Sequence, residues 1–297
     1  MKSFFSRSQD PFFHLAVEEW LLRDQALRDE EVWFFYQNAP CVVLGRFQNP
    51  WKEADLPWLT ELGAPLVRRP SGGGTVWHDL GNLNFCRVAP APLNRDEALK
   101  TMVTHLKRHF GVSVEINARF DLVTRQSDGS TRKVSGSAYK QTKDRALHHA
   151  TLLLHADLAH LERSLHTSAK LSSTKSIASV RSQVQNLGEL NAMLTAESFL
   201  ASWGECQEFL PDEARFPTAP WRSWQWRFGE TPHFTWEFEL EGHRVALESH
   251  KGRVVKLSLD GTDIPGLVGV ELLPENMPQG PSLSAWQSLL GCQLTFP

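Results

Sequence analysis

An α+β fold is predicted by three features of this 297-residue sequence. Amphipathic helical segments are set among short apolar runs that read as strands. The composition changes at residues 211–220, where Pro211, Pro217 and Pro220 mark a linker. Beyond that linker the chain reads as a strand meander. At 41% hydrophobic and 22% charged, with no internal repeat and no low-complexity tract, the composition is that of a globular chain long enough for a large and a small domain. The boundaries predicted are 1–210, a linker over 211–220, and 221–297.

The first helix is DPFFHLAVEEWLLRD, with Asp10 as N-cap, Pro11 at the first helical position, and Phe13, Ala16, Val17, Trp20 and Leu21 on one stripe. EVWFFYQ and CVVLGR read as buried strands separated by QNAP. PLVRRP and GTVWHD read as two strands around a glycine run, and NLNFCRV as another. RDEALKTMVTHLKRHFG is a second amphipathic helix, with Leu99, Met102, Val103, Leu106 and Phe110 on one face and Gly111 ending it. Short strands follow at VEI, FDLVTR and RKVSGSAY, the last two joined by the turn QSDGST. HHATLLLHAD reads as a strand leading into the helix DLAHLERSL, and AESFLASWGE as a further helix. After the linker, FTWEFEL, RVALES and VVKLSLD form the meander, and SLSAWQSLL reads as a short closing helix.

Net charge is −3, from 31 basic and 34 acidic residues. A general nucleic-acid binder carries a basic excess, so any anion site here is local. Runs such as Val32–Tyr36 are far too short to span a bilayer. The N-terminus has no continuous apolar signal core, and its acidic residue fits a transit peptide poorly. Cys41, Cys86, Cys206 and Cys292 are scattered, with neither metal-like spacing nor a disulfide framework. These features predict a cytoplasmic protein without nucleic-acid or membrane partners.

The chemistry concentrates in RRPSGGGTVWHDLGNLNF, residues 68–85. Glycine runs let backbone N–H groups approach phosphate oxygens, and neighbouring arginines neutralise charge. No G-x-x-x-x-G-K-[ST] motif is present, and the run lacks G-x-G-x-x-G spacing. There is no H-E-x-x-H motif, and His148 and His149 alternate faces of a strand, which makes a poor chelate. Alone, SGGGT reads as well as a tight hairpin turn. Arg68 and Arg69, on opposite faces of one strand, tilt the reading toward an anion site. A second cluster, RKVSGSAYKQTKDRALHHATLLL, sets Lys133 before Ser135, Gly136, Ser137 and Ala138. A strand lysine by itself is usually a solvated edge residue, but small residues after it let a ligand lie against the strand.

Together with SVRSQVQNL, these two clusters resemble the lipoate–protein ligase A family. DPFFHLAVEEWLL, GRFQNPWKE, the FDLV segment around Asp121 and WQWRFGETPHF are similar to that family too, in the same order from about residue 10 to about 235. The resemblance implies a biotin/lipoate ligase-like fold, a mixed β-sheet with flanking helices, in a catalytic domain over 1–210, with a small α+β accessory domain over 221–297. It implies a two-step reaction. Lipoate, or octanoate, attacks the α-phosphate of ATP with Mg²⁺ assisting, giving lipoyl-AMP and pyrophosphate. The ε-amine of a lysine then takes the acyl group. The implied partners are lipoyl domains of 2-oxoacid dehydrogenase E2 subunits and the glycine cleavage H protein.

By the same resemblance, Lys133 is the catalytic residue, lying between lipoate and nucleotide. Arg69, Gly74, Thr75, Val76 and Trp77 join it as contacts of ATP and lipoyl-AMP. Ser71, Gly72, Gly73, His78, Gly136, Ala138 and His149 are the lipoate contacts, and His78, Asp79 and Asn82 brace the ATP-binding strand. Asp121 is a candidate metal or substrate contact, with a hydrogen-bonded structural aspartate as the competing reading, and for His149 a packed core histidine is favoured over a ligand contact. Related acyl transferases use a cysteine nucleophile, but between His149 and the linker the sequence offers only Cys206. A lipoyl-AMP:protein lipoyltransferase, or a non-enzymatic sensor of lipoate or nucleotide, shares the same motifs.

Overall fold

The computed structural model describes residues 2–166, 171–240 and 242–272. The expected closing helix SLSAWQSLL and Cys292 lie outside those residues. In chain order, β1 (Lys2–Phe5), α1 (Pro11–Arg23), β2 (Val32–Tyr36) and β3 (Cys41–Leu44) lead into two short helices, α2 (Pro50–Glu53) and α3 (Leu56–Leu62). Then come β4 (Leu66–Arg68), β5 (Val76–His78), β6 (Asn82–Pro90), α4 (Arg95–Phe110), β7 (Glu115–Ile116), β8 (Leu122–Arg125), β9 (Thr131–Ser135), β10 (Ser137–Gln141), β11 (Arg145–Leu153) and α5 (Leu158–Ser164). The remainder holds β12 (Ser173–Thr174), α6 (Ala196–Trp203), β13 (Gln207–Glu208), α7 (Ala219–Arg222), α8 (Trp224–Arg227), β14 (Phe234–Leu240), β15 (His243–His250), β16 (Arg253–Leu259) and β17 (Thr262–Asp263).

The main sheet runs β10-β11-β6-β2-β1-β13. It is mixed: β11, β6 and β2 pair antiparallel, while β1 lies parallel to both β2 and β13. Strand β2 reads VWFFY without alternation because both faces of the sheet are covered. Val32, Phe34 and Tyr36 meet Phe13, Ala16, Val17 and Leu21 of α1. Trp33 and Phe35 meet Leu99, Met102 and Leu106 of α4 on the other side. Helix α1 starts where Asp10 accepts from the Phe12 N–H, and α4 where Asn94 accepts from the Asp96 N–H. Gly111 ends α4 in the left-handed region at φ 67°, with Asp96 and Glu97 in the first turn and Lys107, Arg108 and His109 in the last, matching the helix dipole.

A separate three-stranded sheet, β4-β3-β5, positions the glycine run. The strands on either side of SGGG do not pair with each other: β4 lies parallel to β3 on one edge and β5 antiparallel on the other. The run is therefore a crossover past the end of β3, which removes the hairpin reading. The sheet divides two cores, since β3 alternates faces. Val42 and Leu44 join Trp51, Leu66 and Trp77 in a cluster that also takes in Phe234, Trp236, Val245 and Leu247 of the C-terminal meander. Cys41 and Val43 face Phe12 and Leu15 of α1.

The meander forms its own antiparallel sheet, β12-β14-β15-β16-β17, yet it shares that apolar cluster with the small sheet. The connection before it is ordered as well. Phe216 is buried edge-on against Phe13 and Trp20. The Trp226 Nε1–H donates to the Arg68 carbonyl at 2.6 Å, and the Arg227 Nε–H to the Leu66 carbonyl at 2.7 Å, fixing α8 to β4. The prolines thus introduce short helices, not a bare linker.

Burial also sets a pH dependence. Desolvation pushes His14 and His105 down to about 4, and His78 and His148 to about 3. Unfolded histidines titrate near 6.5, so below about pH 6.5 the unfolded chain binds more protons than the folded one, and stability falls with pH through that window. Urea unfolding followed by tryptophan fluorescence is expected to give a clearly lower midpoint at pH 5 than at pH 7.5. Equal midpoints would mean that these rings charge in place without cost.

Candidate active site

The small sheet faces β9, β10 and β11 across a cavity of about 330 Å³. Much of its wall is apolar: Leu15, Val43, Val67, Val76, Ala138 and Ala150. A second cavity of about 620 Å³ adjoins it, and Thr75, Val76, Lys133, Gly136 and Thr151 line both. The second one adds three cations, Lys52, Arg132 and Arg181, against the carboxylates Glu53 and Glu162. Lys133 thus stands at the junction of an apolar and a polar chamber.

The glycine run is organised from beneath by Arg69. Its Nη2 donates at 2.7 Å to the carbonyls of both Gly72 and Gly74, Nη1 donates to the Val43 carbonyl at 3.1 Å, and Nε donates to the Ser71 hydroxyl at 3.1 Å. Gly73 takes φ +88°, so its own carbonyl turns the other way, toward Gly45. A Cβ on Gly45 would lie 2.1 Å from that oxygen, so the two strands of backbone meet only because Gly45 has no side chain. A Cβ on Gly74 would come within 3.2 Å of the Ser179 hydroxyl, whereas one on Gly72 would meet nothing. The bare backbone expected for a ligand thus serves first to let chain segments approach one another.

A buried polar relay supports the arginine. The Ser71 hydroxyl lies 2.7 Å from His149 Nε2, and His149 Nδ1 lies 2.7 Å from Glu18 Oε2. Glu18, fully buried on α1, also accepts from the Tyr36 hydroxyl at 2.9 Å. Burial pushes Arg69 down to about 10, with Glu18 opposing that shift, so the guanidinium is charged at neutral pH. Arg68, on the opposite face, is equally buried and donates to the carbonyls of Arg46 and Gln48 at 2.9 Å and of Arg227 at 3.0 Å. In the sequence reading the two arginines tilt the glycine run toward an anion site, and the resemblance makes Arg69 the contact. Arg68 instead ties the GRFQN loop to the C-terminal segment, and the donors of Arg69 grip the glycine run itself.

The sequence-derived residues divide into three groups. Arg69, Gly73, Gly74, Thr75, Val76, His78, Asp121, Lys133, Gly136, Ala138 and His149 line the first cavity. Trp77 is buried behind β5, reaches only the second, and donates its Nε1–H to Asp79 at 3.0 Å. Ser71 and Gly72 line neither: Ser71 is buried in the relay. His78 accepts at Nδ1 from the Asn38 amide at 2.9 Å, which leaves its buried Nε2–H as a donor without a partner among the described residues. His149 is both cavity wall and packed relay member, so its two readings are compatible.

Lys133 Nζ lies 2.9 Å from Asp121 Oδ1. Gly136 makes that possible, because a Cβ there would stand 3.0 Å from the lysine's Cε and Nζ. The lysine side chain is 24% exposed and the aspartate 8%, so an incoming anion meets the cation first. Asp121 also has Arg119 at 3.4 Å. Among the described residues no three His, Cys, Asp or Glu side chains gather as a metal cage. Asp121, the one carboxylate among the described residues of the first cavity, is already held by cations, so its expected role as a metal contact does not fit this donor set.

Two further side chains, to which the sequence reading assigns no role, connect these pieces. Gln48 is fully buried; its Oε1 accepts from the Gly45 N–H at 2.9 Å and the Thr75 hydroxyl at 2.8 Å, and its Nε2 donates to the Ser179 hydroxyl at 2.9 Å. The segment carrying Ser179 continues to Lys133, whose N–H donates to the Gln183 carbonyl at 2.8 Å and whose carbonyl accepts from the Gln185 N–H at 3.0 Å. A glutamine within GRFQN gives no sequence signal beyond the motif. Glu18, a carboxylate between Leu15 and Leu22 on a buried helix face, is a legible one.

The family model for the lipoyl protein ligase A/B catalytic domain matches residues 10–205. The chain belongs to that family. Solved structures share its fold. P. falciparum LipL1 in complex with lipoate is 24% identical, with a TM-score of 0.68 over 87% of this chain and 84% of that one. A bipartite lipoate protein ligase from Thermoplasma acidophilum, described with its E2 lipoyl domain, is 23% identical, with a TM-score of 0.60 over 76% and 96%. A lipoate-protein ligase A bound with ATP is 24% identical, with a TM-score of 0.57 over 74% and 93%. The likeness is one of fold, and it bears out the mixed α+β sheet architecture expected of a lipoyl protein ligase.

In this lipoyl protein ligase family member, Gly45→Ala is expected to push the Gly73 carbonyl away and disturb the Arg69 grip. The loss should be about 1–3 kcal/mol of stability, as for other overpacked sites. Thermal unfolding checks this, and an unchanged melting temperature would mean that the 45–73 contact yields freely.

Proposed function

We propose that this protein is an ATP-dependent lipoate–protein ligase that makes lipoyl-AMP and passes the acyl group to a lysine ε-amine of a lipoyl domain. The observation that carries this reading is the position of Lys133 at the junction of an apolar cavity and a cation-bearing one. The apolar chamber suits an acyl chain with its dithiolane ring, and the polar one a nucleotide. In the first step the lipoate carboxylate oxygen attacks the α-phosphorus of ATP, and pyrophosphate leaves with the electron pair of the broken P–O bond. Two anions must approach for that step. A cation at 4 Å offsets their repulsion by about 4 kcal/mol per charge pair at an effective dielectric near 20. Lys133 can turn from Asp121 to meet them. In the second step the acceptor amine attacks the acyl carbon and AMP leaves, with Lys133 stabilising the oxyanion that develops.

The roles of the other wall residues follow their chemistry. His149 and Tyr36 border the acyl chamber, and the neutral His78 offers it an N–H. Thr75 and Val76, with Lys133 and Gly136, bridge to the nucleotide. Magnesium is commonly held by one or two carboxylates together with substrate phosphates. Among the described residues no three ligating side chains gather to hold the ion by themselves, and no step here runs through it.

The alternative of covalent acyl transfer through a cysteine is disfavoured. Among the described residues no cysteine lines either cavity. Burial raises the thiols of Cys41, Cys86 and Cys206, the reverse of what a nucleophilic thiolate needs. A lipoyltransferase that depends on supplied lipoyl-AMP is the second reading, since it uses the same two chambers. Lipoate-dependent pyrophosphate release from ATP, measured with and without a lipoyl-domain acceptor, separates the two.

Lys133→Ala is expected to fold, because Arg119 stays 3.4 Å from Asp121, and to lower both half-reactions by about 10²-fold or more, as the loss of one preorganised charge donor does. Near-normal lipoyl transfer from ATP by the folded variant would overturn the assignment.

A further inference from the structure

The hydroxyl of Ser179 is held in one orientation by the protein. It accepts from the Thr75 N–H at 2.9 Å and from Gln48 Nε2 at 2.9 Å. A serine hydroxyl has two acceptor lone pairs and one O–H donor, so both acceptor positions are taken. Among the described residues no acceptor is found for its hydrogen. Gln48 has no freedom to reverse this. Its Oε1 is committed to the Gly45 N–H and the Thr75 hydroxyl, and Nε2 also reaches the Ile177 carbonyl at 3.4 Å, which fixes the amide nitrogen toward Ser179. The serine's backbone is held too, its N–H donating to Glu53 at 3.2 Å. Ser179 lines both cavities, at the same junction as Thr75 and Lys133.

From this geometry we infer that Ser179 is a ligand-contacting residue, donating its O–H to an oxyanion at the junction of the two cavities, and that Gln48 is the positioning residue that aims it. The inference rests on the ligase reading, in which that oxyanion is either the lipoate carboxylate or the α-phosphate. It gives the bare Cα of Gly74 a purpose, since a Cβ there would crowd the Ser179 hydroxyl at 3.2 Å. It also supplies the junction with a neutral donor beside the Lys133 ammonium. A donor fixed before the ligand arrives needs no reorganisation as charge develops.

The test uses the full chain and isothermal titration with lipoate and, separately, with AMP. Ser179→Ala is expected to weaken one of the two by about 10- to 100-fold, the range for a hydrogen bond to a charged group. Loss with lipoate assigns the donor to the carboxylate, and loss with AMP to the phosphate. Ser179→Thr, which keeps the hydroxyl, should restore binding. Gln48→Glu distinguishes aiming from support. The introduced carboxylate can still accept from Gly45 and Thr75, but it draws the Ser179 proton to itself. It should therefore reproduce the Ser179→Ala defect, and the double variant should bind no worse than Ser179→Ala alone. If Ser179→Ala fails to fold, the Gln48→Glu comparison carries the test.

The inference is overturned if the folded Ser179→Ala or Gln48→Glu protein binds both ligands within about twofold of the unmodified chain, or if the two defects multiply as independent sites do. If the unmodified chain itself binds neither lipoate nor AMP, the ligase reading falls, and this inference with it.

Discussion

The site depends on a buried guanidinium with no carboxylate among the described residues in direct contact. Arg69 grips the carbonyls of Gly72 and Gly74 and the end of β3, and its charge is balanced at a distance by Glu18 through Ser71 and His149. A charge taken out of water is costly unless it is hydrogen-bonded and compensated. The relay spans helix α1, strand β11 and the glycine run, so that cost binds three distant parts of the sequence to one geometry. Alternating carbonyl directions along the run follow from it: two point to the arginine, and Gly73, at positive φ, points away to Gly45.

Much of the fold was legible in the sequence because periodicity reports burial. The α1 and α4 stripes, the Asp10 cap and the Gly111 stop appear where the apolar spacing puts them, and β11 covers HHATLL but starts earlier, at Arg145. What was not legible is pairing. PLVRRP and GTVWHD read as neighbours around a turn, and only the shared partner β3 separates them. Short elements without a stripe, such as β1, α2 and α3, carried too little pattern to stand out.

For the site the division is different. Residue type alone left Lys133 a solvated edge lysine and the glycine run a turn; it was the family resemblance that singled out Lys133, the run and His78. The partners of those groups were hidden. Nothing local says that Arg69 holds its own loop, that Gly136 makes room for Lys133, or that Gln48 and Ser179 meet across 131 positions of sequence. Long-range polar contacts leave no periodic trace, and a single glutamine or serine is common enough to pass unnoticed.

The outer edge of the main sheet has a practical consequence. The family match begins at residue 10 and stops at 205, but β1 lies at residues 2–5 and β13 at 207–208, and these two strands cap the sheet beyond β2. A fragment trimmed to the matched span would strip both and leave β2, an unbroken VWFFY, with a row of open N–H and C=O groups. Such an edge recruits other chains. The boundary that defines the family in sequence is thus not the boundary at which the main sheet closes its edge.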